Sequence, residues 1–214
     1  MSYSVREFIS CRRAFLDRFL FDNQSRLSGR VLDIGGQKVR PRGDFRPPLG
    51  QVSSWIYVNP DWRAGADIAG ALPYLPFRDQ SFDAVVCTEV LEYVLEVKSA
   101  IAEIARVLDS EGVAVVSVPF LHRSHDDSTL DCHRFTFGLL ERLFVPYFSC
   151  VRIIPMGSAA AVIFDLLWPS FQRLRLLRPF MRMLGRWIVA RADHKSDMCT
   201  GFFVLAQKER RQDV

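Results

Sequence analysis

Residues 30–36 read RVLDIGG, an apolar run that carries one acid and ends in two glycines. Such a run is typical of a buried strand that enters a tight turn, because glycine adopts backbone angles that other residues avoid. Glycines there also let a ligand approach the backbone closely, and an acid at the strand end can meet a cation or hydroxyl groups. The stretch therefore predicts a ligand-binding turn after the first core strand.

Further strands and helices alternate along the chain on both sides of this turn. Apolar runs predict strands at 55–59, 82–87, 113–119, 151–154 and 200–208, and helical spacing predicts helices at 5–20, 97–108 and 136–144. Strands that alternate with helices form a mostly parallel, doubly wound α/β sheet, in which ligands sit beyond the carboxyl ends of the strands. Prolines and glycines crowd residues 37–50, so a helix between the first two strands must be short or distorted.

Length and composition limit the number of domains, the class of partner and the compartment that the chain can have. A chain of 214 residues with 49% hydrophobic residues can bury one substantial core, so we expect a single domain over 1–214. The net charge of +4 is small for a chain whose main partner is nucleic acid. Five scattered cysteines without a C-x-x-C pair favour a reducing compartment. The sequence shows neither a signal-peptide pattern nor an apolar run of about 18 residues, so a cytoplasmic protein is expected.

Four segments carry a resemblance to a known family. They are VLDIGG at 31–36, LPFRDQSFDAVVC at 75–87, EVLEYV at 89–94 and EIARVL at 103–108, with Gly112 after them. In this order and spacing they resemble the small-molecule class I methyltransferases of the methyltransferase type 11 family. The resemblance implies a seven-stranded Rossmann-like sheet and S-adenosyl-L-methionine as cofactor. A full G-x-G-x-x-G pattern is absent, which disfavours a dinucleotide.

The resemblance also implies roles for residues near the turn. Asp33 would accept a hydrogen bond from the methionine part of the cofactor, and Gly35 and Gly36 would leave room for it. The acid that holds the ribose hydroxyls in the family falls on Asn59 or Asp61, of which we prefer Asp61 for its charge.

Later positions complete the implied cofactor site. The family's acid near adenine is replaced by Ala71, so adenine would contact the backbone around Leu72. Thr88 and Glu89 would line the cleft between cofactor and acceptor. Tyr93 stands where the family commonly has histidine. A third small residue of the glycine turn is replaced by Gln37.

Histidines after the fourth strand are candidates for a catalytic base. Transfer to oxygen or nitrogen can need one, and we place His125 first and His133 second. Together with His122 and Asp131 they also resemble a metal-ligand set, but hydrogen bonding explains such a loop cluster better, and no metal is expected. Residues 119–136 loosely resemble a subgroup found in bacterial surface-polysaccharide and secondary-metabolite pathways.

Two segments lie outside the residues that carry the resemblance. Residues 1–28 predict a leading helix that covers a sheet edge or the cleft, and 156–192 form a basic amphipathic helical insertion before the last strand. Pro169 and Pro179 are expected to divide that insertion into short helices. It would serve as a lid over the acceptor pocket, as a homodimer surface or as a contact with the inner face of an anionic membrane, with the first two favoured. Glu92, Glu96 and Glu103 are expected on a solvated helix face.

These observations predict an S-adenosyl-L-methionine-dependent methyltransferase. Its acceptor would be a small molecule such as a sugar, glycolipid or secondary metabolite, methylated at oxygen. The alternative is a catalytically silent protein that keeps the fold as a binding or scaffolding subunit, which the altered glycine turn and the proline-broken crossover support. Nucleic acid is not expected as a partner, given the small positive surplus.

Overall fold

A six-stranded sheet forms the centre of the protein. The computed structural model describes residues 8–39, 41, 43–124, 130–172, 176–192 and 197–208. The strands are β1 (Gly29–Ile34), β2 (Val52–Val58), β3 (Phe82–Thr88), β4 (Leu108–Pro119), β5 (Cys150–Pro155) and β6 (Gly201–Gln207). Their order is β2-β1-β3-β4-β6-β5, with β1 to β4 parallel and β6 antiparallel to both neighbours. This confirms the predicted mostly parallel α/β sheet.

Helices cover both faces of the sheet. They are α1 (Cys11–Asp22), α2 (Val97–Val107), α3 (Phe137–Phe144), α4 (Ala159–Gln172) and α5 (Arg178–Arg191). Side chains alternate between the two faces along each strand. On β1, Leu32 packs into the core beneath α2 and α3, whereas Val31 packs into the core beneath α1, α4 and α5. Since both faces are buried, the strands read as continuous apolar runs.

The strand count differs from the expected seven, because the described residues hold six. At the outer side of β2, where a further strand would pair, only Val58 and Ile68 form a parallel bridge. The Asp67 carboxylate accepts a hydrogen bond from the Tyr57 N–H at 2.9 Å, a group that a full strand would otherwise bond. Gly65 and Gly70 further interrupt extended pairing there.

The connection from β1 to β2 contains no α-helix in its described part, as the prolines predict. Instead, the loop sends Phe45 into the core on the α1 face. The Phe45 ring lies 5.4 Å from that of Phe21 and 6.5 Å from that of Trp55. A loop therefore covers this part of the sheet.

Within the described part of the leading segment, residues 8–28, the α-helix is α1, and its start is tied to the insertion. Ser10 is the N-cap of α1, and its hydroxyl accepts a hydrogen bond from the Arg13 N–H at 3.0 Å. The Asp165 carboxylate of α4 accepts from the N–H groups of Cys11 and Arg12, both at 2.8 Å. Burial raises the pKa of Asp165 to about 6. A carboxylate suits a helix N-terminus, so α4 holds α1 in place.

The insertion consists of two helices of 14 residues each, α4 and α5. The predicted division at Pro169 is wrong, since Pro169 lies inside α4. Burial of the neighbouring Trp168, whose ring lies 5.9 Å from that of Phe8, stabilises the helix across this proline. Pro179 lies in the first turn of α5, where a missing N–H costs nothing. Among the described helices, none has the length and apolar character needed to cross a membrane.

Candidate functional site

A cavity of about 840 Å³, called here the main cavity, lies at the carboxyl ends of β1, β2 and β3. Its size is within the range of roughly 300 to 1,000 Å³ typical of small-molecule sites. Its lining comes from the start of α1, the β1 turn, the ends of β2 and β3 and the loop after β4: Ile9, Ser10, Arg12, Arg13, Leu16, Ile34, Gly35, Gln37, Asn59, Pro60, Gly70, Ala71, Leu72, Glu89, Val90, Tyr93, Val94, His122 and Leu130. This is the edge of the sheet where the sequence predicts ligand binding.

Both predicted glycines of the β1 turn are required by geometry. Gly35 has a φ of 77°, and a Cβ there would overlap Cγ2 of Val90. At Gly36, a Cβ would overlap the carboxyl group of Asp33. Gly35 therefore leaves room for the Val90 side chain in the lining of the main cavity, and Gly36 leaves room for the carboxyl group of Asp33.

Asn59, at the end of β2, clamps this turn. Its Nδ2 donates hydrogen bonds to the carbonyls of Gly35 and Gly36 at 3.1 and 3.2 Å, and its Oδ1 accepts from the Asp61 N–H at 2.9 Å. Asn59 lines the main cavity, but Asp61 lines neither cavity and caps the turn Trp62–Ala64. The structure therefore does not support the preference for Asp61 over Asn59.

Asp33 faces a second cavity of about 520 Å³. Thr88 and Gly36 line this second cavity with it, and Gly35 and Glu89 line both cavities. The reason is strand alternation, which turns Ile34 toward the main cavity and Asp33 toward the α1 face. Burial raises the pKa of Asp33 to about 7, although the carboxylate accepts a hydrogen bond from the Trp55 indole at 3.2 Å.

Glu89 stands between the two cavities in a polar network. Its backbone has a φ of 57°, rare for a residue with a side chain. Ser117 Oγ donates a hydrogen bond to Glu89 Oε1 at 2.6 Å, and Arg12 Nε donates to Oε2 at 2.7 Å. Arg12 also donates to the Thr200 carbonyl at 2.6 Å. The charge of Glu89 is thus neutralised by a buried arginine from α1.

Arg12 is the site residue that sequence reasoning missed. Arg12 lies in the predicted helix 5–20, and an arginine of an amphipathic helix is ordinarily on the solvated face, yet Arg12 is 5% exposed. The two partners are 77 residues apart, so no local pattern signals their pairing.

Ala71 and Leu72 are the residues that the resemblance places near adenine. Ala71 and Leu72 line the main cavity together with Gly70, on the same side as Asn59. The family's acid is absent here, so backbone groups and the apolar Leu72 side chain, which is 8% exposed, form this wall.

The structure describes one of the two predicted catalytic histidines. His125 lies outside the described residues, and His133 lines neither cavity. His122 does line the main cavity, beside Tyr93 and Leu130. Its Nδ1 lies 2.8 Å from the Arg123 carbonyl oxygen. If Nδ1 carries the proton in that hydrogen bond, Nε2 is the basic nitrogen.

No metal-ligand cluster is found in the part of the chain that the structure describes. Asp131 forms an ion pair with Arg134, with Oδ2 and Nη2 2.7 Å apart. A bidentate pair of this kind uses the carboxylate oxygens that a metal would need.

Glu92 is fully buried beneath the site, so the prediction of a solvated position is wrong. Both of its carboxylate oxygens lack a hydrogen-bond partner among the described residues. Burial is the main cause that raises its pKa to about 8, and the charge of Glu89 adds to it. The Glu92 carbonyl accepts from the N–H groups of Cys132 and His133, at 2.9 and 3.2 Å, so the loop after β4 packs over this residue.

Part of the chain is similar to a known family. Residues 62–116 match the model of a family described as a methyltransferase domain. No curated protein sequence matches the chain significantly.

Solved structures share the fold at low sequence identity. A putative methyltransferase of Haloferax volcanii, solved with its Trm112 activator, has a TM-score of 0.57 at 14% identity and covers 94% of this chain and 96% of its own. The [4+2]-cyclase SpnF has a TM-score of 0.56 at 20% identity, and the match covers 90% of this chain and 80% of SpnF. Phosphoethanolamine N-methyltransferase 2 of Haemonchus contortus, solved with S-adenosyl-L-methionine, has a TM-score of 0.55 at 14% identity. This match covers 92% of this chain and 52% of that protein.

These comparisons confirm the resemblance to class I methyltransferases and the fold that it implies. The expectations of a methyltransferase and of S-adenosyl-L-methionine as its cofactor agree with the family match.

Proposed function

We propose that the protein is a cytoplasmic S-adenosyl-L-methionine-dependent methyltransferase that acts on a small molecule. The observation that carries this proposal is the main cavity, which runs from Ala71 and Leu72 past the Gly35 turn to His122. One end is apolar, and the middle carries amide and carboxylate groups. A ligand with an adenine, a ribose and an amino-acid part matches that order of chemistry.

The described residues fit such a cofactor. Leu72 and the backbone at Ala71 would contact adenine, Asn59 would face the ribose, and the turn at Gly35 would accommodate the methionine part beside Glu89. When bound, the cofactor supplies a methyl group already activated on a sulfonium sulfur. The protein therefore has to align the two reactants, and such alignment is worth roughly 7 to 11 kcal/mol of a barrier.

The acceptor would enter next to His122, and oxygen is the atom we propose for methylation. A sugar, glycolipid or secondary metabolite carries hydroxyl groups that need a base, and His122 Nε2 can act as that base. His125 stays a prediction, since it lies outside the described residues. His133 is less suited, because it does not line the main cavity. Nucleic acid is not expected as a partner.

Calorimetric titration with S-adenosyl-L-methionine tests the proposal. Asn59→Ala removes the clamp on the turn and should weaken binding at least about tenfold, because two hydrogen bonds to the turn are lost. Asp61→Ala is the matched control two residues away, outside both cavities, and should bind within about twofold of wild type. Absence of saturable binding by folded wild-type protein would contradict the proposal.

A catalytically silent binding or scaffolding subunit is the second candidate. The observation that favours it is the position of the acids: Asp33 lines the second cavity, and Glu89 is neutralised by Arg12. A folded wild-type protein that fails to bind the cofactor would put this candidate first.

A further inference from the structure

We propose that the outer face of the α4–α5 insertion docks onto a membrane surface rich in anionic phospholipids. The observation behind this proposal is where the exposed apolar side chains lie. Eight of the nineteen large hydrophobic residues that are exposed in the described part of the chain fall within residues 163–187. Such a concentration of exposed apolar side chains on one segment marks an interaction surface, whereas single exposed apolar residues are ordinary.

Both helices of the insertion expose an apolar stripe. On α4, Ile163, Leu166 and Leu167 are exposed at helical spacing, on the side opposite the buried Phe164 and Trp168. These three side chains thus point away from the core that holds the insertion on α1.

The stripe on α5 comprises Phe180, Met183 and Trp187, with exposed fractions of 57%, 62% and 52%. Met181 and Ile188 are buried on another side of the same helix. Helix α5 is thus anchored by one side and presents an aromatic side outward.

Arginines accompany this apolar surface. Arg178, Arg182, Arg186 and Arg191 of α5 are all exposed. The guanidinium carbon of Arg191 lies 4.6 Å from the centre of the Trp187 ring. The only acid between residues 156 and 192 is Asp165, which is buried and holds the start of α1. The exposed surface of α4 and α5 therefore carries apolar residues and arginines, and no residue exposed on these two helices is acidic.

The structure discriminates among the three roles that the sequence leaves open. No residue of α4 or α5 lines either cavity, so these two helices do not cover them. A second copy of the chain fits poorly as well, because a twofold dimer places the same patch on both sides and would set arginines against arginines. An anionic surface has the complementary charge.

The chemistry of the surface matches a membrane interface. Helices that lie in the interface carry Trp, Phe and Leu on one face and Lys or Arg on the other. Tryptophan sits at headgroup depth, and arginine extends its aliphatic stem over apolar surface while its charge reaches the phosphates. The opposite, buried side of α4 connects the insertion to the main cavity, because the Phe8 ring lies 5.8 Å from the Phe164 ring and the next residues, Ile9 and Ser10, line that cavity.

Co-sedimentation of the full chain with lipid vesicles tests the proposal. At low salt we expect the wild-type protein to pellet with equimolar phosphatidylglycerol and phosphatidylcholine and to stay in solution with phosphatidylcholine alone. The double variant Phe180→Ser and Trp187→Ser, and separately Arg182→Gln with Arg186→Gln, should each reduce binding at least about tenfold. Trp62→Ser is the matched control, since Trp62 is 76% exposed and also carries an arginine near its ring, but lies far from the insertion in sequence.

Circular dichroism and thermal unfolding confirm that each variant is folded. The proposal is overturned by no pelleting of wild type at low salt, by equal pelleting with neutral vesicles, or by equal loss for Trp62→Ser. A concentration-dependent dimer that Phe180→Ser and Trp187→Ser abolish, without vesicle binding, would overturn it too and assign the surface to a second copy.

Discussion

Replacing Glu92 by glutamine should remove a pH-dependent loss of stability. The carboxyl group is fully buried, and neither oxygen has a hydrogen-bond partner among the described residues. Its pKa is raised from an ordinary 4.5 to about 8. The unfolded chain therefore releases this proton at lower pH than the folded protein does. Consequently, the free energy of unfolding of the wild type falls as the pH rises from about 4.5 to about 8.

The size of the change in unfolding free energy follows from the shift of the Glu92 pKa. One pKa unit corresponds to about 1.4 kcal/mol, so between pH 5 and pH 7 the wild type should lose about 3 kcal/mol relative to Glu92→Gln. The glutamine amide is buried as well, which adds a constant to the difference between the two proteins but does not change its slope with pH. Urea unfolding at a series of pH values measures that slope.

Glu96→Gln provides the control for this experiment. Glu96 is exposed, four residues along the same segment, and its side chain makes no capping bond to α2. Its removal should leave the pH profile parallel to that of the wild type. If the profiles of Glu92→Gln and wild type are parallel too, the carboxyl group is solvated or hydrogen-bonded in solution and the reasoning fails.

Two further substitutions test the turn and the anchoring of α1. Gly35→Ala should destabilise the protein by about 1 to 3 kcal/mol and weaken cofactor binding, because the backbone φ is positive and the new Cβ meets Val90. Thermal unfolding measures this against Gly138→Ala, where a Cβ meets nothing within 4 Å and should be neutral or stabilising; equal effects would contradict the steric argument. Asp165→Asn should lower the unfolding free energy by about 1 to 2 kcal/mol, since the carboxylate receives two N–H groups of α1. Chemical denaturation gives that value, and an unchanged midpoint would show that the start of α1 is held by other contacts.

The general organisation of this protein was determined by the sequence itself. Continuous apolar runs identify strands that are buried on both faces, and the glycines at 35 and 36 identify the turn beneath the main cavity. These features are local, because a strand or a tight turn depends on residues that are neighbours in the chain. The order of the matching segments also gives the resemblance to class I methyltransferases, with which the family match over residues 62–116 and the shared fold agree.

Only the tertiary structure decided which polar side chains lie at the site and which partners they have. Whether Asp33 or Ile34 faces the main cavity depends on strand alternation relative to the helices on each side. The pairing of Arg12 with Glu89 joins residues 77 positions apart, and the burial of Glu92 depends on the loop after β4. Pro169 stays within α4 because its neighbour Trp168 packs against Phe8, three residues before α1. These contacts form between segments that are distant in sequence, so the local pattern of apolar and polar residues does not predict them.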